Sequence, residues 1–301
     1  MKLTVIIVCW NGKQNIETLF PTLKASEGDF DLIVVDNHSA DGSPELVERL
    51  WPEATVLRQS DNLGFAGGNN VGMKVALERG ADIVLLLNDD TQIVDPSWLE
   101  DTKNAFEENP SLGVLGFTLF PDKQSALESQ SSVVISGKRH VVGCAMAMRA
   151  DALRDLGLFD EVYFAYNEED DLCLRFKLAG YTTMMIGRRI VHFGEATSSR
   201  IRDYASFLEL RNAIRYSVKW RSPFATAARC VKLLSVCLLP DRTCARFTVN
   251  LVRARGGGSM PKRLARFLKA LWWNIAAFPE SRRIAAAERL RIANHAGRFK
   301  S

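Results

Sequence analysis

The amino-acid sequence predicts an α/β protein with a mostly parallel central sheet and a C-terminal, mainly helical, basic extension. Three observations predict it. Over the first half of the chain, short β-branched apolar runs alternate with segments of helical spacing, the pattern of strands covered on both faces. Polar clusters stand at the ends of those runs, where open parallel sheets hold their ligands. From residue 201 onward acids nearly vanish, and Arg and Lys are interleaved with Leu, Ala, Phe and Trp.

Leu3–Cys9 is the first strand, running into Trp10-Asn11-Gly12. Leu32–Val35 is the second and ends at Asp36-Asn37-His38-Ser39. Thr55–Arg58 is a weaker third, and Ile83–Leu87 is a fourth that ends at Asn88-Asp89-Asp90. Pro44–Leu50 and Asn70–Arg79 carry helical spacing between them. Gly256-Gly257-Gly258-Ser259 is a flexible break and Pro261 opens a helix after it. Within Arg263–Phe278 the spacing gathers Leu264, Phe267, Leu268, Leu271, Trp272 and Ile275 on one side. The expected division is 1–200 for the α/β domain and 201–301 for the extension.

With 47% hydrophobic and 25% charged residues over 301 positions, the composition is ordinary for a globular protein, and disorder is not the default reading. The net charge of +4 hides an asymmetry. Residues 1–199 hold 17 Lys+Arg against 30 Asp+Glu, a balance of −13; residues 200–301 hold 22 against 5, a balance of +17. A basic tail of this kind fits a polyanionic partner. No zinc-finger, bZIP or helix-turn-helix spacing is present, so the expected partner is an anionic membrane surface through interfacial contact, with no nucleic acid. None of the six cysteines forms a CxxC pair, and reduced thiols are expected. No signal peptide is visible ahead of the first strand, so none is expected, and no uncharged apolar stretch approaches the roughly 20 residues that span a bilayer. The expected location is cytoplasmic, peripheral on the inner face of the cell membrane.

Four features carry chemistry. Adjacent carboxylates in Asn88-Asp89-Asp90 repel unless a proton or cation intervenes, which suits a hard divalent ion such as Mg²⁺ or Mn²⁺. An Asx-turn, or a cap for a helix near Pro96, accounts for the same residues. The glycine-rich segment Asn62-Leu63-Gly64-Phe65-Ala66-Gly67-Gly68-Asn69-Asn70 lets backbone approach a ligand closely, and a helix beginning near Asn69 would aim its positive end at phosphate. It lacks the Gly-Lys-Ser/Thr of a Walker loop. Glu168-Glu169-Asp170-Asp171 opens an amphipathic run. Acids there stabilise a helix start, and four in a row leave one free to act as a general base. His192, in Val191-His192-Phe193-Gly194, is either a satisfied structural histidine or a metal ligand.

Taken in order, these motifs resemble glycosyltransferase family 2 over about residues 3–200. Gly143–Arg149, Gly157-Leu158-Phe159-Asp160-Glu161 and Gly180-Tyr181 continue the match, and the bacterial rhamnosyltransferase-like branch is the most similar. The resemblance implies a GT-A fold and an inverting hexosyl transfer from a nucleoside-diphosphate sugar, dTDP or UDP, to a saccharide or lipid-linked acceptor in cell-surface polysaccharide synthesis. It implies dTDP-L-rhamnose as the first donor to test, with UDP-galactose or UDP-glucose as the alternative. By position it implies Trp10, Asn11 and Asp36 around the nucleoside. Asn62, Gly64, Gly67, Gly68 and Asn69 would lie along ribose and diphosphate, with Asn88 and Asp89 beside the ribose or sugar. Asp90 and His192 would hold Mg²⁺ or Mn²⁺. The family's usual Glu-Asp-x-Asp block reads Glu168-Glu169-Asp170-Asp171 here, so Glu169 stands where the base aspartate is usual, with Glu168 beside it. A nucleotidyltransferase would need a basic pyrophosphate signature after the first strand, and Asn11-Gly12-Lys13 is a poor one. A non-catalytic binding module would not need the intact acidic block.

Overall fold

The computed structural model describes residues 1–129, 135–136, 141–194, 202–239 and 256–298. They form two compact units, one of Met1–Phe164, Glu168–Ala196 and Ile292–Ser301, the other of Ala165–Asn167 and Thr197–Arg291.

The first unit is built on one sheet. Its first half follows directly from the apolar runs: β1 (Leu3–Cys9), β2 (Asp31–Asp36), β3 (Thr55–Arg58) and β4 (Ile83–Leu87) are parallel, in the order β3-β2-β1-β4. Strands without polar alternation must be covered on both faces. Helices α1 (Lys13–Lys24), α2 (Ser43–Leu50) and α3 (Gly64–Glu78) connect them. In α1 the side chains Ile16, Leu19, Phe20 and Leu23 bury a single stripe against the sheet core. The sheet continues through β8 (Ala145–Arg149), β6 (Leu112–Phe120), β9 (Thr182–His192) and β5 (Thr91–Ile93), and β7 (Ile135–Ser136) also pairs with β9. Here β8 runs antiparallel to both β4 and β6, while β6 and β9 are parallel. Helices α4 (Trp98–Glu108), α5 (Lys123–Glu128), α6 (Ala150–Leu156) and α7 (Glu168–Leu178) complete this half. The architecture is a sheet flanked by helices with a C-terminal helical extension, consistent with the GT-A fold.

Two local expectations are corrected. The glycine-rich segment is not a loop ahead of a helix at Asn69, because α3 already begins at Gly64. A Cβ on Gly72 would lie 2.5 Å from Ile6 Cγ2, and one on Gly68 would lie 2.8 Å from Val8 Cγ1. The glycines thus bring the helix backbone onto β1, and close packing stabilises helix where composition suggests loop. Asn88-Asp89-Asp90 caps no helix, since α4 begins after Ser97.

The second unit holds α8 (Arg202–Trp220), α9 (Pro223–Leu238) and α10 (Met260–Ala276), together with the first part of α11 (Phe278–Arg298). Leu210, Ile214, Val218, Leu233, Val236, Phe267 and Ala270 form its core. Cations are buried with partners: Lys219 Nζ meets Glu288 Oε2 at 3.0 Å, and Arg263 Nε donates to the Cys237 carbonyl at 2.9 Å. The one-sided apolar face expected on α10 divides in two. Phe267 turns into the core with Leu271 packed against it, whereas Leu268, Trp272 and Ile275 stay exposed, Trp272 at 72%. An arc wider than one stripe serves two surroundings. Cys9, Cys144, Cys173, Cys230 and Cys237 carry free thiols; Cys244 lies outside the described residues. Among the described residues, no helix is long and apolar enough to cross a membrane.

Candidate active site

The carboxyl ends of β1 and β2 are tied together by polar side chains. Asn11, in the left-handed region at φ 51°, donates its backbone N–H to Ser39 Oγ and accepts from the Ala40 N–H through its side chain. Asp36 is buried and accepts from the Ser39 N–H at 3.2 Å. Trp10 is half-buried beside them. Asn37, which sequence reasoning did not single out as a site residue, is the knot of this corner. Its amide donates to Asn62 Oδ1 and to the Gly64 carbonyl, both at 3.0 Å, and it accepts from the Leu63 N–H. It thereby fastens the start of α3 to the end of β2. Within α3, Gly67 abuts Leu63, and Asn69 is buried and donates to the Phe65 carbonyl of its own helix. Asn70 joins α3 to Phe159 and Glu161 through its side-chain amide.

Asn88-Asp89-Asp90 forms the turn between β4 and β5, with the Asn88 N–H donating to the Cys144 carbonyl and Thr91 Oγ1 donating to the Asn88 carbonyl. Asp89 lies over Gly12, where a Cβ would meet its Oδ2 at 2.0 Å. Burial first, and then the Asp90 charge, push the Asp89 carboxyl up to about 7, against hydrogen bonds from Asn15, Cys9 and the Asp90 N–H. Asp90 is buried, and the pairing of Thr91 with His192 across β5 and β9 brings His192 to it. His192 Nε2 stands 3.3 Å from Asp90 Oδ1, which lacks an aligned hydrogen bond. Burial opposes the imidazolium, but the Asp90 carboxylate and the Cys144 thiol outweigh it and raise His192 to about 10.

A shielded carboxylate oxygen 3.3 Å from an imidazole nitrogen suits a divalent ion that would displace the proton between them and take its remaining ligands from water and substrate phosphate. Among the described residues no group of three or more His, Cys, Asp or Glu side chains could enclose an ion. Asp90 and His192 would supply two ligands to an open site.

The acidic block forms the first turn of α7, and its members separate by surroundings. Asp171 is fully buried; it accepts from Tyr163 Oη and pairs with Arg175, whose guanidinium also donates to the carbonyls of Leu156, Gly157 and Leu158. That acid is structural. Glu168 is 3% exposed, and burial together with the Glu169 carboxylate holds its carboxyl well above the usual range. Glu169 is half-buried, with its Cβ 3.8 Å from where a Cβ on Gly143 would stand.

Before this turn the backbone is strained. Phe164 at φ 62° and ψ −59°, Tyr166 at φ 73° and Asn167 at φ 71° all have positive φ, at a cost of roughly 1–3 kcal/mol each. The Phe164 carbonyl accepts from the Ala66 N–H at 3.0 Å and lies 2.5 Å from where a Cβ on Gly64 would be. Gly64, itself at φ 71°, is thus required by both its torsion and its neighbour. The geometry links the start of α3 to the segment entering α7.

Residues 4–166 match the family described as Glycosyl transferase family 2. This is more than half of the chain, and the chain belongs to that family and is a transferase. It is 25% identical over 275 residues to the N-acetylglucosaminyl-diphospho-decaprenol L-rhamnosyltransferase of Mycobacterium tuberculosis, covering 75% of this chain and 89% of that protein. Solved structures agree on the fold. One is GalNAc-T7 with UDP, GalNAc and Mn²⁺, with TM-score 0.61 and 11% identity over 92% of this chain and 57% of that one. Another is the mannosyltransferase PcManGT from Pyrobaculum calidifontis in complex with GDP-Man and Mn²⁺, with TM-score 0.56 and 17% identity over 96% and 80%.

Proposed function

We propose that the protein is an inverting hexosyltransferase that moves a sugar from a nucleoside diphosphate to a hydroxyl of a saccharide or lipid-linked acceptor. The observation that carries this reading is the unequal acid pair at the start of α7. Glu168 is buried with raised proton affinity next to Glu169. Two adjacent carboxyls in one site do not both ionise readily, and Glu169, the less buried of the two, is the one we assign as the base. Glu169 takes the proton of the acceptor hydroxyl as its oxygen bonds to the anomeric carbon, and the nucleoside diphosphate departs from the opposite face with the bonding electrons.

Asp36, Trp10 and Asn11 bind the nucleoside in this reading. Asn62 and Gly64, held by Asn37, lie along ribose and diphosphate with Gly67, Gly68 and Asn69 behind them, and Asn88 and Asp89 approach the ribose or sugar. Asp90 and His192 would hold Mg²⁺ or Mn²⁺, which when bound neutralises charge on the leaving diphosphate. The donor is dTDP-L-rhamnose, supported by the 25% identity to a rhamnosyltransferase across 89% of its length. The protein acts in cell-surface polysaccharide synthesis, docked on the cytoplasmic face of an anionic membrane through the basic helical region and the exposed Leu268, Trp272 and Ile275.

A thermal-shift panel of nucleotides and nucleotide sugars with and without Mn²⁺ tests the donor, since a bound ligand raises stability with the logarithm of its saturation. The dTDP compounds are expected to give the largest shift. A larger shift from UDP-galactose or UDP-glucose replaces rhamnose as the sugar, and tighter binding of GDP than of both pyrimidine nucleotides overturns the pocket assignment.

A further inference from the structure

We infer that Asn37 is a positioning residue for the diphosphate end of the donor pocket. The inference rests on the reading that Asn62 and Gly64 lie along ribose and diphosphate. Every residue that carries it belongs to the sheet unit. Asn37 is 2% exposed and directly follows the last residue of β2. Its backbone N–H donates to the Cys9 carbonyl at 2.8 Å and so ties the ends of β1 and β2. Its side chain serves a different segment. The amide nitrogen donates to Asn62 Oδ1 and to the Gly64 carbonyl, each at 3.0 Å, and Oδ1 accepts from the Leu63 N–H at 3.0 Å. Asn62 Oδ1 accepts in addition from the Gly64 N–H at 2.8 Å. One side chain thus holds three successive residues, with its donor and acceptor ends both engaged, which fixes the amide's orientation.

The three residues that Asn37 holds lead from the exit of β3 into α3, and Gly64 among them is left-handed at φ 71°. Glycine gives up more conformational freedom than any other residue when it is fixed, so this turn needs a tether. Asn37 supplies it from the end of a strand whose place the sheet sets. The nucleoside end of the pocket is tied by other bonds: Asn11 through Ser39 Oγ and the Ala40 N–H, and Asp36 through the Ser39 N–H. A binding segment ordered in advance does not charge its ordering to ligand affinity. Loss of the Asn37 amide therefore weakens the grip on diphosphate and spares the grip on the nucleoside. Its partners are two acceptors and one donor, a set that an amide matches and a carboxylate does not. The space is confined as well, since a Cβ on Gly68 would stand 3.3 Å from Asn37 Nδ2.

Asn37→Asp and Asn37→Ala test this in the full chain. Asp is isosteric and keeps the acceptor for the Leu63 N–H, but it sets a carboxylate oxygen against Asn62 Oδ1 and the Gly64 carbonyl; Ala removes all three side-chain bonds. The backbone bond to Cys9 is available to both variants. Dissociation constants for dTDP and UDP, and for dTMP and UMP by competition, are measured by calorimetry in the presence and absence of Mn²⁺, with melting temperatures alongside. The expected result is a rise in Kd of about tenfold for the diphosphates in either variant that folds, with less than about a threefold rise for the monophosphates. Variants that bind the diphosphates as the wild type does overturn the positioning role and leave the donor reading standing. An equal loss for mono- and diphosphates, or failure of both variants to fold, overturns it in favour of a purely structural role. A wild type that binds neither dTDP nor UDP overturns the donor reading itself, and the positioning role with it.

Discussion

Four acids in sequence have three different environments. Asp171 is locked to Arg175 and Tyr163, Glu168 is buried with its proton affinity raised, and Glu169 stands half-buried beside it. Glu169→Gln is expected to lower turnover by about 10²–10⁴-fold with donor binding retained, measured by kinetics and calorimetry on one preparation. Glu168→Gln makes a separate prediction about stability. A carboxyl whose folded pKa lies above its unfolded value of 4.5 favours the unfolded state increasingly as pH rises above 4.5, until it ionises in the fold. The wild type therefore loses stability with rising pH across that window, and Gln removes the loss. Melting curves for the two proteins are expected to converge near the acid end and to separate in favour of Glu168→Gln at neutral pH; the reverse order means that the buried carboxyl is not strained. Asp90→Ala is expected to abolish the Mn²⁺-dependent increase in nucleotide binding, and His192→Ala to weaken it. The adjacency of the acids is visible in the sequence. Their division is not, because Arg175 reaches back to carbonyls at 156–158, a contact that no local pattern encodes.

At the scale of elements, the four parallel strands were legible as uninterrupted apolar runs bounded by polar clusters. The antiparallel insertion of β8 between β4 and β6 was not, since pairing partners 60 residues apart follow from burial of whole faces and not from local periodicity. The start of α3 was misread because glycine suggests loop. At Gly68 and Gly72 its function is to admit β1. Gly72→Ala would gain about 1 kcal/mol in helix propensity, yet its Cβ would stand 2.5 Å from Ile6 Cγ2 in a core with no slack. Overpacking costs about 1–3 kcal/mol, so a net loss of stability is expected on denaturant titration. A gain would mean that α3 can slide away from the sheet without cost.

Across the whole molecule, charge and apolar exposure coincide in the basic region. Residues 200–301 carry a balance of +17, and Trp272, Ile275 and Leu268 are exposed on α10. Flotation with phosphatidylglycerol vesicles is expected to capture the protein, with binding that weakens as salt rises, because each basic residue near the surface contributes about 1 kcal/mol. Trp272→Ala should reduce the captured fraction, and equal capture by neutral vesicles would remove the electrostatic part of the argument. The pairing of β5 with β9 has a consequence for biosynthesis. Thr91 and His192 are partners in the sheet but stand about a hundred residues apart in the chain. At translation rates of about 5–20 residues per second, Asp90 waits on the order of 5–20 s for its histidine. A nascent chain released after β8 carries the four parallel strands and their polar ends without the Asp90–His192 pair. Ribosome-stalled fragments ending near residue 150 are therefore expected to bind nucleotide with no response to Mn²⁺, and that response should begin only with fragments long enough to expose His192.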